Sequence, residues 1–235
     1  MRSHHEKTDF HKDTATHYLS ESKASQYHHA FTEAKGLNGF RFRLIAEREK
    51  KLVAKCLQYA GFKPGLVVVD CPTGTAKMAE VFGQLQARVL ACDISPAMLT
   101  VAEKEFAQFG VSVVDFKKID IMNCEDIYRS GKFVVCWRLM QRVPRELIDN
   151  ILVQLSKVAP VIIISFAGDN IYGRIRYYLR KMIFGGAKSL GGVRIRRREL
   201  ESLLEERFVI EYSESVLPGV SAQRAYILRL KSDDL

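Results

Sequence analysis

The chain is 235 residues long, 47% hydrophobic and 27% charged, which are ordinary values for one soluble globular domain with a full core. Its five cysteines are odd in number and form no C-x-x-C pair, so they indicate reduced thiols in a cytoplasmic protein rather than a disulfide framework. The polar residues 1–13 contain no apolar signal core, and no apolar run is long enough to span a bilayer.

Helices are predicted for the N-terminal part of the chain. Residues 1–14 are charged, His-rich and without periodicity, which is typical of a flexible tail. A helix is predicted over residues 15–34 and is expected to break at Gly36 to Gly39. Apolar residues at helical spacing predict a stronger helix from Arg41 to Ala60. These segments form a predicted tail and helical cap over residues 1–60.

A strand, a tight loop and a helix follow the cap. Leu66 to Val69 is a β-branched run without a polar face, as expected for a strand buried on both sides. Asp70 ends this strand, and the turn-forming residues Cys71 to Thr75 predict a loop. A helix is predicted to begin at Thr75 or Ala76.

The remaining elements alternate between strands and helices. Asp93 comes just after the second strand, and Ser95 followed by Pro96 is a typical helix start. Further strands are predicted at Arg88–Cys92, Val111–Phe116, Phe133–Cys136, Val161–Phe166, Phe208–Ser213 and Gln223–Lys231, and helices at Pro96–Phe109 and Pro144–Val158.

The first loop and the acid about 20 residues further on predict a site for a nucleoside-bearing cofactor. In such sites, backbone N–H groups of the loop meet anionic parts of the ligand and the acid binds the ribose hydroxyls. Gly74 is the only glycine between positions 66 and 82, so both the NAD fingerprint and the phosphate-binding loop are absent. The shortage of glycine argues against a pyrophosphate ligand.

Two segments resemble the class I S-adenosylmethionine (SAM) dependent methyltransferases. Asp70–Ala76, DCPTGTA, is similar to that family's first-loop pattern D-V-P-C-G-T-G, and Asp93–Leu99, DISPAML, matches D-x-S-x-x-M-L. Threonine replaces the family's cysteine at Thr73, and Ala76 replaces its last glycine, where a methyl group is expected to crowd the methionine end of the cofactor. The resemblance covers roughly residues 40–170.

The resemblance implies an α/β fold with a Rossmann-like, seven-stranded, mostly parallel sheet, helices on both faces and an antiparallel last strand. It also implies SAM as cofactor and a main domain over residues 61–235. Asp120 and Ile121 would bind the adenine, and the loop after the fourth strand would add further contacts. The full set of implied cofactor-binding residues is Asp70, Cys71, Pro72, Thr73, Gly74, Asp93, Ile94, Met98, Asp120, Ile121, Cys136 and Trp137.

Candidate catalytic residues come from two places. The family pattern C-x-R-L-L-H-H-x-P is matched at Arg138, but Gln141 and Arg142 replace its two histidines, and Arg138 could act at the site or merely brace the loop. All six histidines lie within the first 29 residues, and their spacing matches no metal-ligand pattern, so no metal site is predicted. A mechanism by proximity alone is expected; the alternative is a histidine base, for which His28 and His29 are the candidates, with Tyr27 beside them in the catalytic set.

A basic insertion is predicted between the fifth and sixth strands, from Ile171 to Arg198. It holds nine basic residues and no acid; the net charge is +9, so the other 27 basic residues balance the 27 acids. Aromatic residues alternate with these basic residues, and the insertion is predicted to be a substrate lid. The acceptor would be small or lipid-linked and anionic, such as a glycolipid or sugar hydroxyl. An anionic membrane surface is a further predicted partner. The alternatives are an RNA methyltransferase, with the insertion as its platform, and a SAM-binding regulator without turnover.

Overall fold

The structure is a computed structural model, and it describes residues 36–168, 195–218 and 221–231. The predicted helix over residues 15–34 and most of the basic insertion therefore lie outside the described residues.

A seven-stranded sheet forms the centre of the described chain, with the order β3-β2-β1-β4-β5-β7-β6. Strands β1 to β5 run parallel to one another, and β7 is antiparallel to both β5 and β6, which confirms the predicted topology. The strands are β1 Val67–Asp70, β2 Arg88–Asp93, β3 Ser112–Lys118, β4 Phe133–Cys136, β5 Val161–Ala167, β6 Phe208–Ser215 and β7 Gln223–Leu230.

Helices cover both faces of this sheet because its central strands are apolar on both sides. Along β1, Val68 packs into the core under α1, α2 and α3, whereas Val69 packs into the core under α4 and α5. The described helices are α1 Gly36–Tyr59, α2 Ala79–Gln84, α3 Pro96–Gln108, α4 Arg145–Val158 and α5 Arg197–Arg207, with short 3-10 turns at Glu125–Ile127 and Met140–Arg142. In the described residues, no helix is long and apolar enough to cross a membrane.

Three local features differ from the sequence-based expectations. Gly36 to Gly39 are helical, so the expected break at these glycines is wrong. Residues 74–78 form turns, and the following helix begins only at Ala79. The helix Arg197–Arg207 was not predicted; it starts inside the segment assigned to the basic insertion, two residues after the buried Ile195.

The parallel strands place four loops at one edge of the sheet. Because β1, β2, β3 and β4 are parallel neighbours, the loops that follow Asp70, Asp93, Lys118 and Cys136 all leave the sheet at the same edge. In open α/β sheets, ligands bind in the crevice outside these carboxyl ends.

Candidate active site

The loop after β1 is fixed to the end of β2 by Thr73. The Thr73 N–H donates to the carbonyl oxygen of Cys92 (2.7 Å), and the Cys92 N–H donates to the Thr73 hydroxyl (3.1 Å). The same hydroxyl donates to the carbonyl oxygen of Asp70 (2.7 Å). A buried side chain that donates and accepts in this way holds the loop in one conformation.

Asp93 joins this loop to the start of α3. Its Oδ2 accepts from the Gly74 N–H (2.8 Å), and its Oδ1 accepts from the Ser95 N–H (2.9 Å). Burial raises the pKa of the Asp93 carboxyl, and the backbone N–H groups of Ser95, Gly74 and Ile94 oppose that rise. A carboxylate oxygen has two lone-pair sites, so each Asp93 oxygen can still accept a hydroxyl donor.

The loop after β3 is attached to the same residue. The Ile119 N–H donates to the carbonyl oxygen of Asp93 (3.0 Å). Asp120 then forms a local turn, since its Oδ1 accepts from the Met122 N–H (2.9 Å). Both Asp120 and Ile121 are half-buried. Hydrogen bonds to Asp93 therefore link the loops predicted to hold the adenine, the ribose and the amino-acid end of a cofactor.

All five cysteines are free thiols and buried. The Cys71 thiol hydrogen-bonds with those of Cys124 and Cys92, and these contacts raise its pKa. Cys136 is fully buried, and burial raises the pKa of its thiol as well. Buried thiols with raised pKa values are inert, so Cys71 and Cys136 are not expected to act as nucleophiles.

The loop after β4 is held by an ion pair with α1. Glu49 is 1% exposed; it accepts from Nε of Arg138 at Oε1 (2.9 Å), and its Oε2 lies 2.7 Å from Nη2 of Arg138. The Arg138 N–H also donates to the Ser165 hydroxyl (2.8 Å), and its φ of +61° lies in the left-handed region. This geometry favours the interpretation of Arg138 as a brace of the loop.

Sequence reasoning missed two residues near this loop, Glu49 and Lys77. A signal for Glu49 existed: it lies on the apolar stripe of α1, three residues before the buried Leu52 and four before the buried Val53. Lys77 gave no signal because its neighbours come from other elements. Burial, with the nearby Arg138 and Arg142, lowers its pKa to about 7, and Glu49 opposes this shift.

Residues 68–159 match the family model of a methyltransferase domain, and this segment includes all four loops. This part of the chain is therefore similar to methyltransferase domains. No curated protein matches the sequence.

The fold of the chain is similar to several solved structures. Magnesium protoporphyrin IX methyltransferase from Synechocystis PCC 6803, solved with bound S-adenosylhomocysteine (SAH), is 17% identical with a TM-score of 0.72 over 94% of this chain and 99% of its own. A protein of echinomycin biosynthesis is 17% identical, with a TM-score of 0.58 over 76% and 81% of the two chains. A cyclase is 14% identical, with a TM-score of 0.56 over 77% and 80%. These likenesses concern the fold.

The residues of the four loops fit a cofactor. A Cβ added to Gly74 would meet no atom within 4 Å, so there is open space beside the first loop. The buried side-chain atoms without a hydrogen-bond partner, in the part of the chain that the structure describes, are Oγ1 of Thr75, Nε1 of Trp137 and Oε1 of Gln141. All three belong to the loops after β1 and β4. Native proteins leave few buried polar atoms unpaired, so these atoms point to a polar ligand.

The other predicted site residues are placed as follows. Met98 is buried in the first turn of α3, where its N–H donates to the Ser95 hydroxyl (3.3 Å). Ala76 has a φ of +49°, and its methyl group is buried in the core under α1 and α2, so crowding of the cofactor stays a prediction. Tyr27, His28 and His29 lie outside the described residues. Among the described residues, no group of His, Cys, Asp and Glu could hold a metal ion.

Proposed function

We propose that this protein transfers a methyl group from SAM to a small-molecule acceptor that carries an anionic group. The observation that carries the proposal is that the segment matching the methyltransferase family contains the loops hydrogen-bonded around Asp93. The division into a cap over residues 1–60 and a catalytic domain over residues 61–235 belongs to the same proposal.

The cofactor supplies a methyl group activated by a positively charged sulfur. In the proposal, Asp93 accepts hydrogen bonds from the two ribose hydroxyls, and Asp120 and the Ile121 N–H bind the adenine edge. The open space at Gly74 accommodates the amino-acid end. The buried Trp137 contributes its indole N–H. The enzyme then needs chiefly to align the acceptor and to exclude water, which accounts for large rate enhancements in reactions of this kind.

The proposal of a small anionic acceptor has two supports. A structural neighbour with a similar fold is a methyltransferase of a porphyrin, which is a small molecule. The predicted basic insertion provides positive charge for an anionic group, although residues 171–194 of it lie outside the described residues. A lipid-linked acceptor such as a glycolipid or sugar hydroxyl is the more specific version of this proposal, and RNA is the alternative that the same charge would serve.

Calorimetry with SAH tests the cofactor site without knowledge of the acceptor. Asp93→Asn keeps the shape of the side chain but places an NH₂ group opposite a backbone N–H donor, and it removes charge-assisted hydrogen bonds worth roughly 1.5–3 kcal/mol each. We expect SAH to bind the variant about a hundredfold more weakly. Asp126→Asn, at an exposed position, is the matched control and should bind like the wild type. Equal affinity of Asp93→Asn and wild type would contradict the assignment.

The acceptor class is tested by competition. Protein and methyl-labelled SAM are offered a small-molecule extract, RNA and anionic vesicles together at physiological ionic strength. We expect the label in the small-molecule or lipid fraction, and labelled RNA would overturn that choice. The matched variant changes Arg194, Arg196 and Arg198 to serine and keeps Arg197, because Arg197 pairs with Glu201 within α5 (2.8 Å). Binding of SAH with no labelled product in any fraction would support the regulator instead.

A further inference from the structure

A cleft lies between α1 and the end of β6, the outermost strand at the edge of the sheet opposite β3. Its volume is about 200 Å³, much more than the roughly 10–15 Å³ that one water molecule needs. Basic side chains of α1 line one wall, the end of β6 forms the other, and two buried apolar side chains lie between them. These residues are Arg48, Lys51 and Lys55, then Glu214 and Ser215, and finally Leu52 and Val216.

The lining of this cleft carries more positive than negative charge. It holds three cations and one carboxylate, which leaves an excess of two positive charges. The carboxylate, Glu214, already accepts from Nζ of Lys55 (2.6 Å) and from the Tyr212 hydroxyl. Within the described part of the chain, neither Arg48 nor Lys51 forms an ion pair with an acid.

The basic residues of α1 are spaced so that they repel one another. Arg48 and Lys51 are three residues apart, and Lys51 and Lys55 are four apart, so all three lie on one face of the helix. Like charges at these spacings destabilise a helix. All three side chains are exposed, so packing in the core does not explain their position. A bound anion would relieve the repulsion between them.

A serine on the opposite wall has a proton to donate. The Ser215 hydroxyl accepts from Nη2 of Arg224 (3.1 Å), the residue directly opposite it in the pairing of β6 with β7. Among the described residues, none accepts the proton of this hydroxyl. A hydroxyl that accepts from a guanidinium is polarised and becomes a better donor. The wall of β6 therefore adds a hydrogen-bond donor to the positive charge of α1.

The β6 wall is also held in place by buried hydrogen bonds. The Val216 N–H donates to the carbonyl oxygen of Gln223 (2.9 Å), and Nε2 of Gln223 donates to the Ser165 hydroxyl (2.9 Å). Ser165 and Gln223 are both buried. A wall fixed in this way loses little conformational freedom when a ligand binds.

We propose that this cleft binds the phosphate group of a phosphate monoester. Arg48 and Lys51 would contact the phosphate oxygens, and the Ser215 hydroxyl would donate to one of them. A phosphate monoester carries about −1.5 to −2 charges at pH 7 and three strong acceptor oxygens, which matches two excess cations and a hydroxyl donor. The inference goes beyond the proposed function, since none of the three residues belongs to the cofactor loops.

Two arms of one binding experiment distinguish the sources of the phosphate group. The first arm titrates glycerol 3-phosphate into the full chain by calorimetry, with glycerol as the ligand that lacks the phosphate. The second arm measures sedimentation of the protein with phosphatidylcholine vesicles that contain phosphatidic acid. Vesicles that contain phosphatidylserine at the same surface charge are the comparison. We expect saturable binding of glycerol 3-phosphate and none of glycerol.

Substitutions within the cleft test its residues. Arg48→Gln combined with Lys51→Gln should weaken binding of the phosphate group by tenfold or more, and Ser215→Ala should weaken it several-fold. Lys63→Gln combined with Lys104→Gln removes the same two charges at exposed positions outside the cleft and should bind like the wild type. A thermal unfolding curve for each variant shows whether lost binding reflects lost folding.

Each outcome supports or overturns the cleft. Binding of glycerol 3-phosphate that the Arg48 and Lys51 variant loses and the control retains supports a small phosphorylated molecule as the ligand. The same pattern only with phosphatidic acid vesicles supports a lipid headgroup. The cleft is overturned if neither arm shows binding, if phosphatidylserine vesicles bind equally in the absence of binding to glycerol 3-phosphate, or if cleft variant and control behave alike.

The cleft and the proposed function fail separately. The Arg48 and Lys51 variant should bind SAH like the wild type, because neither residue lies in the loops around Asp93. If glycerol 3-phosphate binds but SAH does not, the cofactor site fails and the cleft stands. If SAH binds and no phosphate monoester does, the cleft fails and the proposed function stands.

Discussion

Breaking the ion pair between Glu49 and Arg138 should destabilise the protein strongly. The carboxylate side chain is 2% exposed and the guanidinium 17%, so truncating either residue removes this short contact from a charge that stays buried. Removing one member of a buried pair costs about 3–5 kcal/mol. For a domain of this size, that corresponds to a fall in the unfolding temperature of roughly 6–20 °C.

A double-mutant cycle tests this reasoning. Glu49→Leu and Arg138→Met should each cost the amount given above, whereas the double variant should unfold within about 1 kcal/mol of wild type, because an apolar replacement of a buried pair is often neutral. Urea unfolding measures all four proteins. If each single substitution lowers the free energy of unfolding by less than about 1 kcal/mol, and the two effects simply add in the double variant, the assignment of Arg138 as a brace is refuted. If the double variant is stable but no longer binds SAH, Arg138 contributes to the site as well.

Three further predictions concern the first loop and the base. Burial raises the pKa of Asp70 to about 8, so the folded state holds a proton that the unfolded chain releases above about pH 4, and the free energy of unfolding falls as pH rises between these values. Asp70→Asn should remove this contribution to the difference between urea unfolding at pH 5 and at pH 8. An unchanged difference between the two pH values would contradict the assignment to Asp70. Ala76→Gly removes the strain of an alanine in the left-handed region, which is worth roughly 1–2 kcal/mol. It also loses a buried methyl group and adds entropy to the unfolded chain, and these two costs are of similar total size, so the free energy of unfolding should stay within about 1 kcal/mol of wild type. The control Ala79→Gly, in a helix, should lower the free energy of unfolding clearly more. If proximity suffices, His28→Ala and His29→Ala should retain most of the methyl-transfer rate once an acceptor is known, and a loss near a thousandfold with unchanged SAH affinity would establish a base.

Much of the fold could be predicted from the sequence because its signals are local. The β-branched run at Val67 to Val69 and the all-apolar segment Val161 to Ile164 have no polar face, which few elements other than central strands tolerate. The helix Arg197–Arg207 gave a weaker signal. Only Leu200 and Leu204 are buried in it, and the basic run that opens it obscured this short stripe.

The candidate site could be predicted only in part. Gly74 and Asp93 are separated by the typical length of a strand–loop–helix–strand unit, so their spacing alone suggested a shared site. The pairing of Glu49 with Arg138 spans 89 residues, and the position of Lys77 beside both depends on how α1 packs across the sheet. Sequence also fails to predict the conformation of Gly36 and Gly39. Glycine disfavours helices intrinsically, but both residues lie in the helix Gly36–Tyr59, whose packing overrides that preference.

The hydrogen bonds that join the cofactor loops have a kinetic consequence. Hydrogen bonds within the protein hold Thr73, Gly74 and Ile119 against Cys92 and Asp93, so these loops should lose little conformational freedom when a ligand binds. Association should then be set mainly by diffusional encounter, and substitutions around Asp93 should alter the residence time of the ligand far more than its rate of arrival.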